Sequence, residues 1–520
     1  MPKANTSHRE KKRHGWYRQL LFRRLTVAFI IVLQAAAVAW FINTKAPVAR
    51  ILSVIITALS AFVALYVINK PMKPGYRLIW VIIILLFPVV GCSFYLLLHL
   101  LPANHRVRRH YLEAERDGTA SMQLARSCTP EELGKFGVWR RLARYLTDFA
   151  GFPAFAGTSS VYFPSGEEML PRLLDDLEKA EKYIYMEYFI VDEGKMTDAI
   201  FDILERKAKA GLDVRLMYDD IGCFVTLPKD FPEKLRHRGI NCAVFNPFVP
   251  ILTSVQNNRD HRKITVIDGR VGYTGGINLA DEYINAFEKH GHWKDAAVRL
   301  EGEAVWSFSV MFLEMWSLAT GQRFENPHSP PEWEREMPDD GLVLPYADSP
   351  LDSETVGEHV YMEMIHHASR YLYITTPYFI LDDGLLSDLK LAAKSGVDVR
   401  IIMPHIWDKR FVHIITRSYY KELILAGVRV YEYTPGFMHA KLFVADDTAA
   451  TVGTVNLDYR SLYLHFEDGV FLYGASSVME VKNDFLRTVD ESAEITLRDC
   501  RENGLQSLLA SIMRLFSPLL

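Results

Sequence analysis

The sequence predicts an α/β protein with two repeated domains, preceded by N-terminal transmembrane helices. Three observations support this fold class: long apolar segments near the N-terminus, an internal repeat that starts near residue 150, and a short histidine–lysine motif that occurs twice. With 520 residues the chain is long enough for several domains, each with its own buried core.

Composition narrows the possible functions. The formal net charge of −4 gives no indication of bulk nucleic-acid binding. The five cysteines are scattered, odd in number and without CxxC spacing, which argues against a disulfide framework and against a zinc site. The hydrophobic content of 49% is high for a fully soluble enzyme, and the excess lies near the N-terminus.

The first hundred residues predict a membrane region. Residues 1–24 form a basic leader, and residues 25–104 contain three apolar runs without charged residues: 25–42, 51–68 and 78–101. Each run reaches the roughly 18–20 residues that a helix needs to cross a bilayer. A signal peptide is the alternative for the first run, and buried core helices are the alternative for the other two.

The orientation of a multi-pass arrangement is left open. The basic leader predicts a cytoplasmic N-terminus, and three full spans then put the rest of the chain on the opposite side. Pro88 and Gly91 interrupt the third run, however, and a kinked or re-entrant third segment reverses that conclusion.

An internal repeat divides the remainder of the chain. Residues 183–190 match 371–380, and 209–217 match 394–402, each as a strand or a helix end followed by a strand. We therefore expect the following order of parts: a connecting segment at 105–150, a first repeated domain at 151–325, a Pro-rich linker at 326–340, a second repeated domain at 341–500, and an amphipathic helix at 501–520. The last helix fits either packing against the protein or lying in a membrane interface.

The duplicated motif is H-x-K-x₄-D. It comprises His261, Lys263 and Asp268 in the first repeat and returns in the second as His439, Lys441 and Asp446. Each motif continues into a short apolar run, so its histidine and lysine stand at positions i and i+2 of a strand and project from one face. An asparagine follows each histidine by 17 residues: Asn278 (278 − 261) and Asn456 (456 − 439).

These paired motifs resemble the signature of the phospholipase D superfamily, and the chain as a whole is similar to its bacterial cardiolipin synthases. The phrases at 258–269, 456–462 and 516–520, and the order of an apolar N-terminus before two repeats, carry the resemblance. It implies two phospholipase D-like α/β/α sandwich domains related by a pseudo-two-fold axis. It also implies a multi-pass protein of the bacterial cell membrane that transfers a phosphatidyl group between two phosphatidylglycerol molecules, giving cardiolipin and glycerol.

The resemblance also implies a role for each motif residue. One histidine forms a covalent phosphohistidine while the other acts as acid and then base, and we assign these roles to His261 and His439, although the symmetry of the motifs also permits the reverse. The remaining residues are expected to hold the phosphate or orient the imidazoles: Lys263, Lys441, Asn278, Asn456, Thr454, Asp295 and Glu467. Asp268 and Asp446 belong to the motif, but we expect them to bond backbone or neighbouring basic groups.

Some features remain open or depart from the family. Gly276 and Thr454 stand where the usual G-S-x-N tail has serine, which predicts a one-sided hydroxyl. We expect no metal and no cofactor, because lysines and amides supply the positive charge. His405 and His413 fit surface or packed histidines better than pocket residues, whereas Tyr188 and Tyr378 fit a lipid entrance and core packing equally well.

Three alternative functions are kept. They are a hydrolase of the phospholipase D or nuclease type, a synthase that uses another donor such as phosphatidylethanolamine, and a non-enzymatic membrane scaffold. Nucleic acid is not an expected partner, and the oligomeric state is not predicted.

Overall fold

The computed structural model describes residues 47–100, 102–134, 136–248, 254–333, 340–500 and 504–519. These residues divide into two compact units. The first unit contains the helices that precede His105, and the second contains both predicted repeats. The predicted basic leader (1–24) and the first apolar run (25–42) lie outside the described residues.

The helices of the first unit are α1 (Pro47–Ile68), α2 (Pro74–Leu86) and α3 (Pro88–Leu100). The second apolar run, 51–68, lies in α1, and the third run is divided between α2 and α3. The break falls before Pro88, because proline has no N–H to donate and its ring crowds the preceding turn. Among the described residues, no helix combines the length and the apolar character that crossing a bilayer requires.

The second unit contains helices that flank and connect its strands. In chain order after α4 (Pro102–Met122) they are α5 (Pro130–Gly134), α6 (Arg140–Arg144), α7 (Gly166–Glu178), α8 (Lys195–Lys209), α9 (Asp220–Cys223), α10 (Phe231–His237), α11 (Val305–Thr320), α12 (Val356–His367), α13 (Asp383–Lys394), α14 (Arg410–Leu425), α15 (Tyr459–Tyr463), α16 (Ser476–Asp490) and α17 (Gly504–Leu515).

Within the described ranges, nine strands come from the first repeat. They are β1 (Thr158–Phe163), β2 (Tyr183–Tyr188), β3 (Asp213–Asp219), β4 (Asn241–Phe245), β5 (Arg259–Asp260), β6 (Lys263–Ile267), β7 (Val271–Gly275), β8 (His292–Lys294) and β9 (Ala297–Gly302). Nine more come from the second: β10 (Leu342–Asp348), β11 (Tyr371–Thr375), β12 (Asp398–Pro404), β13 (Arg429–Tyr433), β14 (Gly436–Met438), β15 (Leu442–Ala445), β16 (Ala449–Gly453), β17 (His465–Tyr473) and β18 (Ser492–Ile495).

The two repeats build the same sheet. The first has the order β1-β9-β7-β6-β2-β3-β4, and the second has the order β10-β17-β16-β15-β11-β12-β13, with β18 added at its edge. In both sheets the last three of these seven strands pair in parallel and the others pair antiparallel. The predicted mixed α/β fold with two repeated domains is therefore confirmed.

One hydrophobic core is shared by both repeats. Helix α11 is buried over most of its length and packs against β2, β4 and β6 of the first sheet and β10 of the second. Phe308 and Phe312 from this helix belong to the same cluster as Leu442, Val470 and Phe485 of the second repeat. A shared, close-packed core fixes the positions of the two motif strands relative to each other.

The segment predicted as a linker and the C-terminal helix both contact the repeats. In the linker, the ring of His328 stacks on Tyr183 with centroids 4.1 Å apart, and residues 334–339 lie outside the described residues. In α17, the guanidinium of Arg514 lies 3.9 Å from the centre of the Tyr419 ring and 2.8 Å from Glu422. Leu508 and Ile512 of the same helix are exposed, so α17 has a packed side and an apolar exposed side.

Candidate active site

Two short strand pairings between the repeats position the motif histidines. Strand β5 ends at Asp260 and pairs in parallel with the start of β17, and the N–H of His261 donates to the carbonyl of Phe466 (2.9 Å). In the reciprocal pairing β14 runs parallel to β8, and the N–H of His439 donates to the carbonyl of Lys294 (2.7 Å). Each histidine is thus held against a strand of the other repeat, as expected for two domains related by a two-fold axis.

Each imidazole is oriented by a carboxylate from the other repeat. Nδ1 of His261 lies 2.9 Å from Oε2 of Glu467, and Nδ1 of His439 lies 2.6 Å from Oδ2 of Asp295. All four side chains are buried. Because a carboxylate oxygen can only accept, both Nδ1 atoms carry the proton and each lone pair is on Nε2. In the sequence each carboxylate follows the histidine of its own repeat, so only the fold reveals the crossed pairing.

The two motif lysines lie beside the histidines. Nζ of Lys263 donates to the backbone carbonyl of His261 (2.5 Å), and Nζ of Lys441 donates to the carbonyl of His439. Nζ of Lys441 also lies 3.1 Å from Nε2 of His439. The prediction that histidine and lysine both stand on a strand is wrong, because His261 precedes β6, and His439 and Lys441 precede β15. Lys441 nevertheless lies beside the reactive nitrogen of its histidine.

Burial keeps both imidazoles neutral near pH 7. It lowers the pKa of His439 to about 4, with Lys441 acting in the same direction and Asp295 opposing it. Burial also lowers the pKa of His261 well below its usual range, and Lys263, Lys441 and His439 lower it further. Because groups of both repeats act on His261, the two motifs share one electrostatic environment.

Burial also lowers the pKa of the lysines, to about 8 for Lys263 and about 7 for Lys441. Glu467 opposes this shift at Lys263, and Asp295 opposes it at Lys441. Without a bound anion, both lysines are therefore close to losing their positive charge at neutral pH. An anionic ligand favours their charged ammonium forms.

The two asparagines differ in their contacts. Asn278 accepts a hydrogen bond from the N–H of Ile190 (3.0 Å) and donates to the hydroxyl of Tyr283 (2.7 Å). Oδ1 of Asn456 is buried and has no hydrogen-bond partner among the residues that the structure describes. Buried polar atoms are normally paired, so Asn456 is the better candidate for contact with a substrate.

The departure from the G-S-x-N tail has a steric cause. The hydroxyl of Thr454 donates to Glu467, so this residue supports a carboxylate and does not face the site as a phosphate donor. At Gly276, a Cβ atom would lie 1.9 Å from Oδ1 of Asp295. Only glycine leaves room for this carboxylate, which explains the one-sided hydroxyl.

The motif aspartates bond backbone N–H groups, which is the role expected for them from the sequence. Asp268 accepts hydrogen bonds from the N–H groups of residues 181–183, and Asp446 accepts them from residues 369–371. Both residues have φ of 56°, a left-handed conformation that aspartate tolerates in tight turns. Their position at the far end of β6 and β15 fits the structural role that the sequence favoured.

The other candidates lie around the site. The hydroxyl of Tyr188 is buried and bonds Thr265 (2.7 Å), which is core packing. Tyr378 donates to Asp408 (2.5 Å), and the ammonium of Lys409 lies 4.6 Å from its ring centre. His405 is half-exposed and bonds Glu432, as expected for a surface histidine. Burial lowers the pKa of His413, which is partly buried.

Sequence reasoning missed the residues that enclose the histidines. His465 lies beside His261 with ring centroids 5.6 Å apart, and Trp293 lies beside His439 at 5.3 Å. Both stand two positions before an orienting carboxylate in the sequence, a signal that becomes visible only once Asp295 and Glu467 are known to act across repeats. Among the described residues, one group has three metal-ligating atoms within 4.8 Å of one another: His261, His465 and Glu467.

The duplicated sheet and the paired His–Lys motifs define the chain as an enzyme of the phospholipase D-like class. The structure is similar to that of phosphatidylserine synthase from Haemophilus influenzae, with a TM-score of 0.55 over 73% of this chain and 100% of that one. At 15% sequence identity this similarity concerns the fold alone.

Similarity of sequence assigns the chain to a narrower group of proteins than its fold does. A family model described as cardiolipin synthase, PLD-like domain, matches residues 173–309 and 361–489, and one described as phospholipase D-nuclease N-terminal matches 58–98. The chain is 35% identical to a cardiolipin synthase of Alkalihalophilus pseudofirmus, over 96% of this chain and 99% of the relative. It is also 37% identical to cardiolipin synthase 2 of Bacillus anthracis, over 86% and 87%, and 41% identical to an uncharacterized protein of Streptococcus mutans, over 88% and 99%.

The chain belongs to the cardiolipin synthase family of phospholipase D-like enzymes. The resemblance inferred from the sequence motifs is therefore confirmed, and with it the expectation of an enzyme in the phosphatidyltransferase class.

Proposed function

We propose that this protein joins two phosphatidylglycerol molecules into cardiolipin and releases glycerol. The observation that carries the proposal is the crossed pairing of two buried imidazoles with carboxylates, which leaves a lone pair on each Nε2 atom, with Lys441 3.1 Å from that of His439. A phosphodiester exchange needs both a nucleophile and a proton carrier at one phosphorus, and this arrangement offers one of each.

In the first step Nε2 of His261 attacks the phosphorus, and the bond to the departing glycerol oxygen breaks. His439 gives that oxygen a proton, while Lys263 and Lys441 neutralise the non-bridging oxygens. The assignment of roles follows from electrostatics. Burial lowers the pKa of both imidazoles, well below the usual range for His261 and to about 4 for His439, whose carboxylate lies closer (2.6 Å against 2.9 Å). The imidazole that is easier to protonate suits the acid.

The anionic substrate supplies the condition for acid catalysis. In the empty site His439 is neutral at pH 7, and the negative phosphodiester raises its pKa by favouring the imidazolium form. Substrate binding and protonation of His439 are thereby linked, so His439 becomes a proton donor when the phosphate binds.

In the second step a hydroxyl of the second phosphatidylglycerol attacks the phosphohistidine. His439, now neutral, takes the proton of this hydroxyl; the new P–O bond forms as the P–N bond to His261 breaks. The buried Oδ1 of Asn456, which has no hydrogen-bond partner among the described residues, can accept a hydrogen bond from the other free hydroxyl of the same glycerol headgroup. Transfer rather than hydrolysis requires that water be kept from the intermediate, and the burial of the histidines, lysines and carboxylates of the site supports this.

Exposed apolar side chains support delivery of the substrates from a bilayer. Ile221 and Ile406 stand two residues beyond the ends of β3 and β12, equivalent positions in the two repeats, and both are exposed. Trp407 and Phe411 are also exposed, and between them lies Lys409, whose charge acts on His261. Aromatic and basic residues in alternation are typical of surfaces that rest on anionic lipid.

The first unit supports membrane attachment. Ile51, Val54, Phe62 and Leu65 of α1 are each more than half exposed, and apolar surface of this extent needs a covering of lipid or protein. We propose that this unit holds the enzyme at the bilayer where both of its substrates are confined. The multi-pass arrangement stays a prediction.

Radiolabelled phosphatidylglycerol in vesicles tests the reaction. The full-length protein should yield labelled cardiolipin and one glycerol for each cardiolipin. Phosphatidic acid as the only product would identify a hydrolase instead, and release of ethanolamine from mixed vesicles would identify phosphatidylethanolamine as the donor.

Two further experiments test the assigned roles of the histidines: trapping of the covalent intermediate, and turnover of a variant. Rapid quenching under conditions that preserve phosphohistidine should trap label on the parent protein and not on His261→Asn. The exposed histidine of His237→Asn provides the matched control, and this variant should react as the parent does. Undiminished turnover in His439→Asn would contradict the acid–base role.

A further inference from the structure

A third histidine lies against the nucleophile and its carboxylate. His465 and Glu467 stand at positions i and i+2 of β17 and therefore project from the same face. Nδ1 of His465 lies 3.6 Å from Oε1 of Glu467. Within the described part of the chain neither ring nitrogen of His465 has a hydrogen-bond partner, although both nitrogens are buried. The catalytic scheme makes no use of this imidazole, and an unpaired buried imidazole is costly.

We propose that His261, His465 and Glu467 form a binding site for one divalent transition-metal ion of the zinc type. Two imidazoles and one carboxylate are a common zinc ligand set, with a fourth position left open. Zn–N and Zn–O distances of about 2.0–2.2 Å place neighbouring donors of a tetrahedral site about 3.3 Å apart. The observed separations of 2.9 Å (His261 Nδ1 to Glu467 Oε2) and 3.6 Å (His465 Nδ1 to Glu467 Oε1) lie on either side of that value.

Metal binding here switches off the nucleophile, a consequence that rests on the proposed function. The ion takes the lone pair of Nδ1 of His261, in place of the proton that Nδ1 now shares with Glu467. A neutral imidazole with a metal on Nδ1 carries its proton on Nε2. Nε2 then has no lone pair to attack phosphorus, so the loaded enzyme cannot form phosphohistidine.

The other repeat cannot form an equivalent site. Trp293 stands two residues before Asp295, as His465 stands before Glu467, and its ring lies 5.3 Å from His439. Indole is not a metal ligand, so the duplication leaves a single site of this kind within the described residues. The positive charges of Lys263 and Lys441 repel a metal ion in this region. We therefore expect the ion to bind more weakly here than at structural zinc sites.

Cobalt titration of the full-length, detergent-solubilised protein tests the proposal without any lipid substrate. After removal of metals with a chelator, Co²⁺ should produce visible absorption typical of nitrogen ligation that saturates at one ion per chain and disappears on addition of Zn²⁺. His465→Asn and Glu467→Gln should each lose this absorption. His439→Asn should keep it, because that residue lies outside the site.

Measurements of transferase activity then distinguish a failure of the metal site from a failure of the proposed function. Zn²⁺ should lower the transferase rate of the parent at least about tenfold, and the ratio of rates with and without zinc should be near one for His465→Asn, whose folding is checked by circular dichroism. Saturation at two ions, or absorption of parental strength in His465→Asn, would overturn the metal site. Protein that binds cobalt as described but makes no cardiolipin would overturn the proposed function and leave the metal site intact.

Discussion

Replacing Glu467 with glutamine tests which histidine this carboxylate serves. The candidates are His261, which it contacts in space, and His439, which precedes it in its own repeat. The structure pairs Glu467 with His261 of the first repeat, through both carboxylate oxygens at 2.9 and 3.0 Å. Glutamine keeps the size of the side chain, but its N–H group donates to Nδ1 and so favours the tautomer with the proton on Nε2. We therefore expect Glu467→Gln to disable the nucleophile.

The size of the effect follows from the burial of this contact. Loss of the buried orienting carboxylate in a Ser-His-Asp triad lowers kcat by about 10⁴, whereas supporting partners of metal-bound histidines are worth about 10–100-fold. Glu467 is fully buried and makes two close contacts with the imidazole, so we expect a loss of about 10²–10⁴, or about 3–5 kcal/mol of transition-state stabilisation.

A substrate with a good leaving group assigns the variants to a chemical step. A phosphatidyl ester of p-nitrophenol needs no acid in the first step, because nitrophenolate leaves without a proton. His439→Asn and Asp295→Asn should therefore still release a burst of about one nitrophenolate per active site, and His261→Asn and Glu467→Gln should release none.

The crossed pairing of each carboxylate with the histidine of the other repeat can be refuted whichever histidine is the nucleophile. If His439 attacks, the pattern of bursts reverses, but Asp295→Asn still behaves as His439→Asn does. A Glu467→Gln variant that behaves like His439→Asn, together with an Asp295→Asn variant that behaves like His261→Asn, would show that the carboxylates act within their own repeats.

Three further predictions concern charge, packing and stability. Because Lys441 has a pKa of about 7 in the empty site, kcat/KM should fall as pH rises through 7–8, whereas the corresponding limb of kcat should lie at higher pH, since bound phosphate stabilises the ammonium form. Gly276→Ala should reproduce the activity loss of Asp295→Asn, because the new methyl group displaces that carboxylate; normal turnover would contradict the steric argument. Arg262→Met should lower the free energy of unfolding by about 3–5 kcal/mol, because buried acids lose their cation, while the exposed Arg116→Met should change it by less than about 0.5 kcal/mol in the same thermal denaturation series.

Much of the fold could be predicted because the duplication is visible locally. The matches at 183–190 with 371–380 and at 209–217 with 394–402 fall on β2, β11, β3 and β12, which occupy the same places in the two sheets. The reason is that buried strands require apolar side chains in short runs, so their pattern survives in the sequence. Strand β18 has no counterpart and was not predicted.

The site was harder to predict where contacts cross between repeats. Asp295 and Glu467 were identified as orienting carboxylates, but nothing in their spacing from His261 and His439 reveals that each serves the histidine of the other repeat. His465 and Trp293 were missed for the same reason. Thr454 was grouped with phosphate ligands, whereas its hydroxyl supports Glu467.

The sequence by itself determined the chemistry of this protein: two imidazoles, two ammonium groups and two amides, with each histidine two residues before its lysine and 17 residues before its asparagine. The tertiary structure alone decided which groups meet. Parallel pairing of β5 with β17 and of β14 with β8 brings together His261 and Glu467, 206 positions apart in the chain (467 − 261), and His439 and Asp295, 144 positions apart (439 − 295). Such contacts depend on how two sheets pack on a shared core, and local spacing carries no record of that packing.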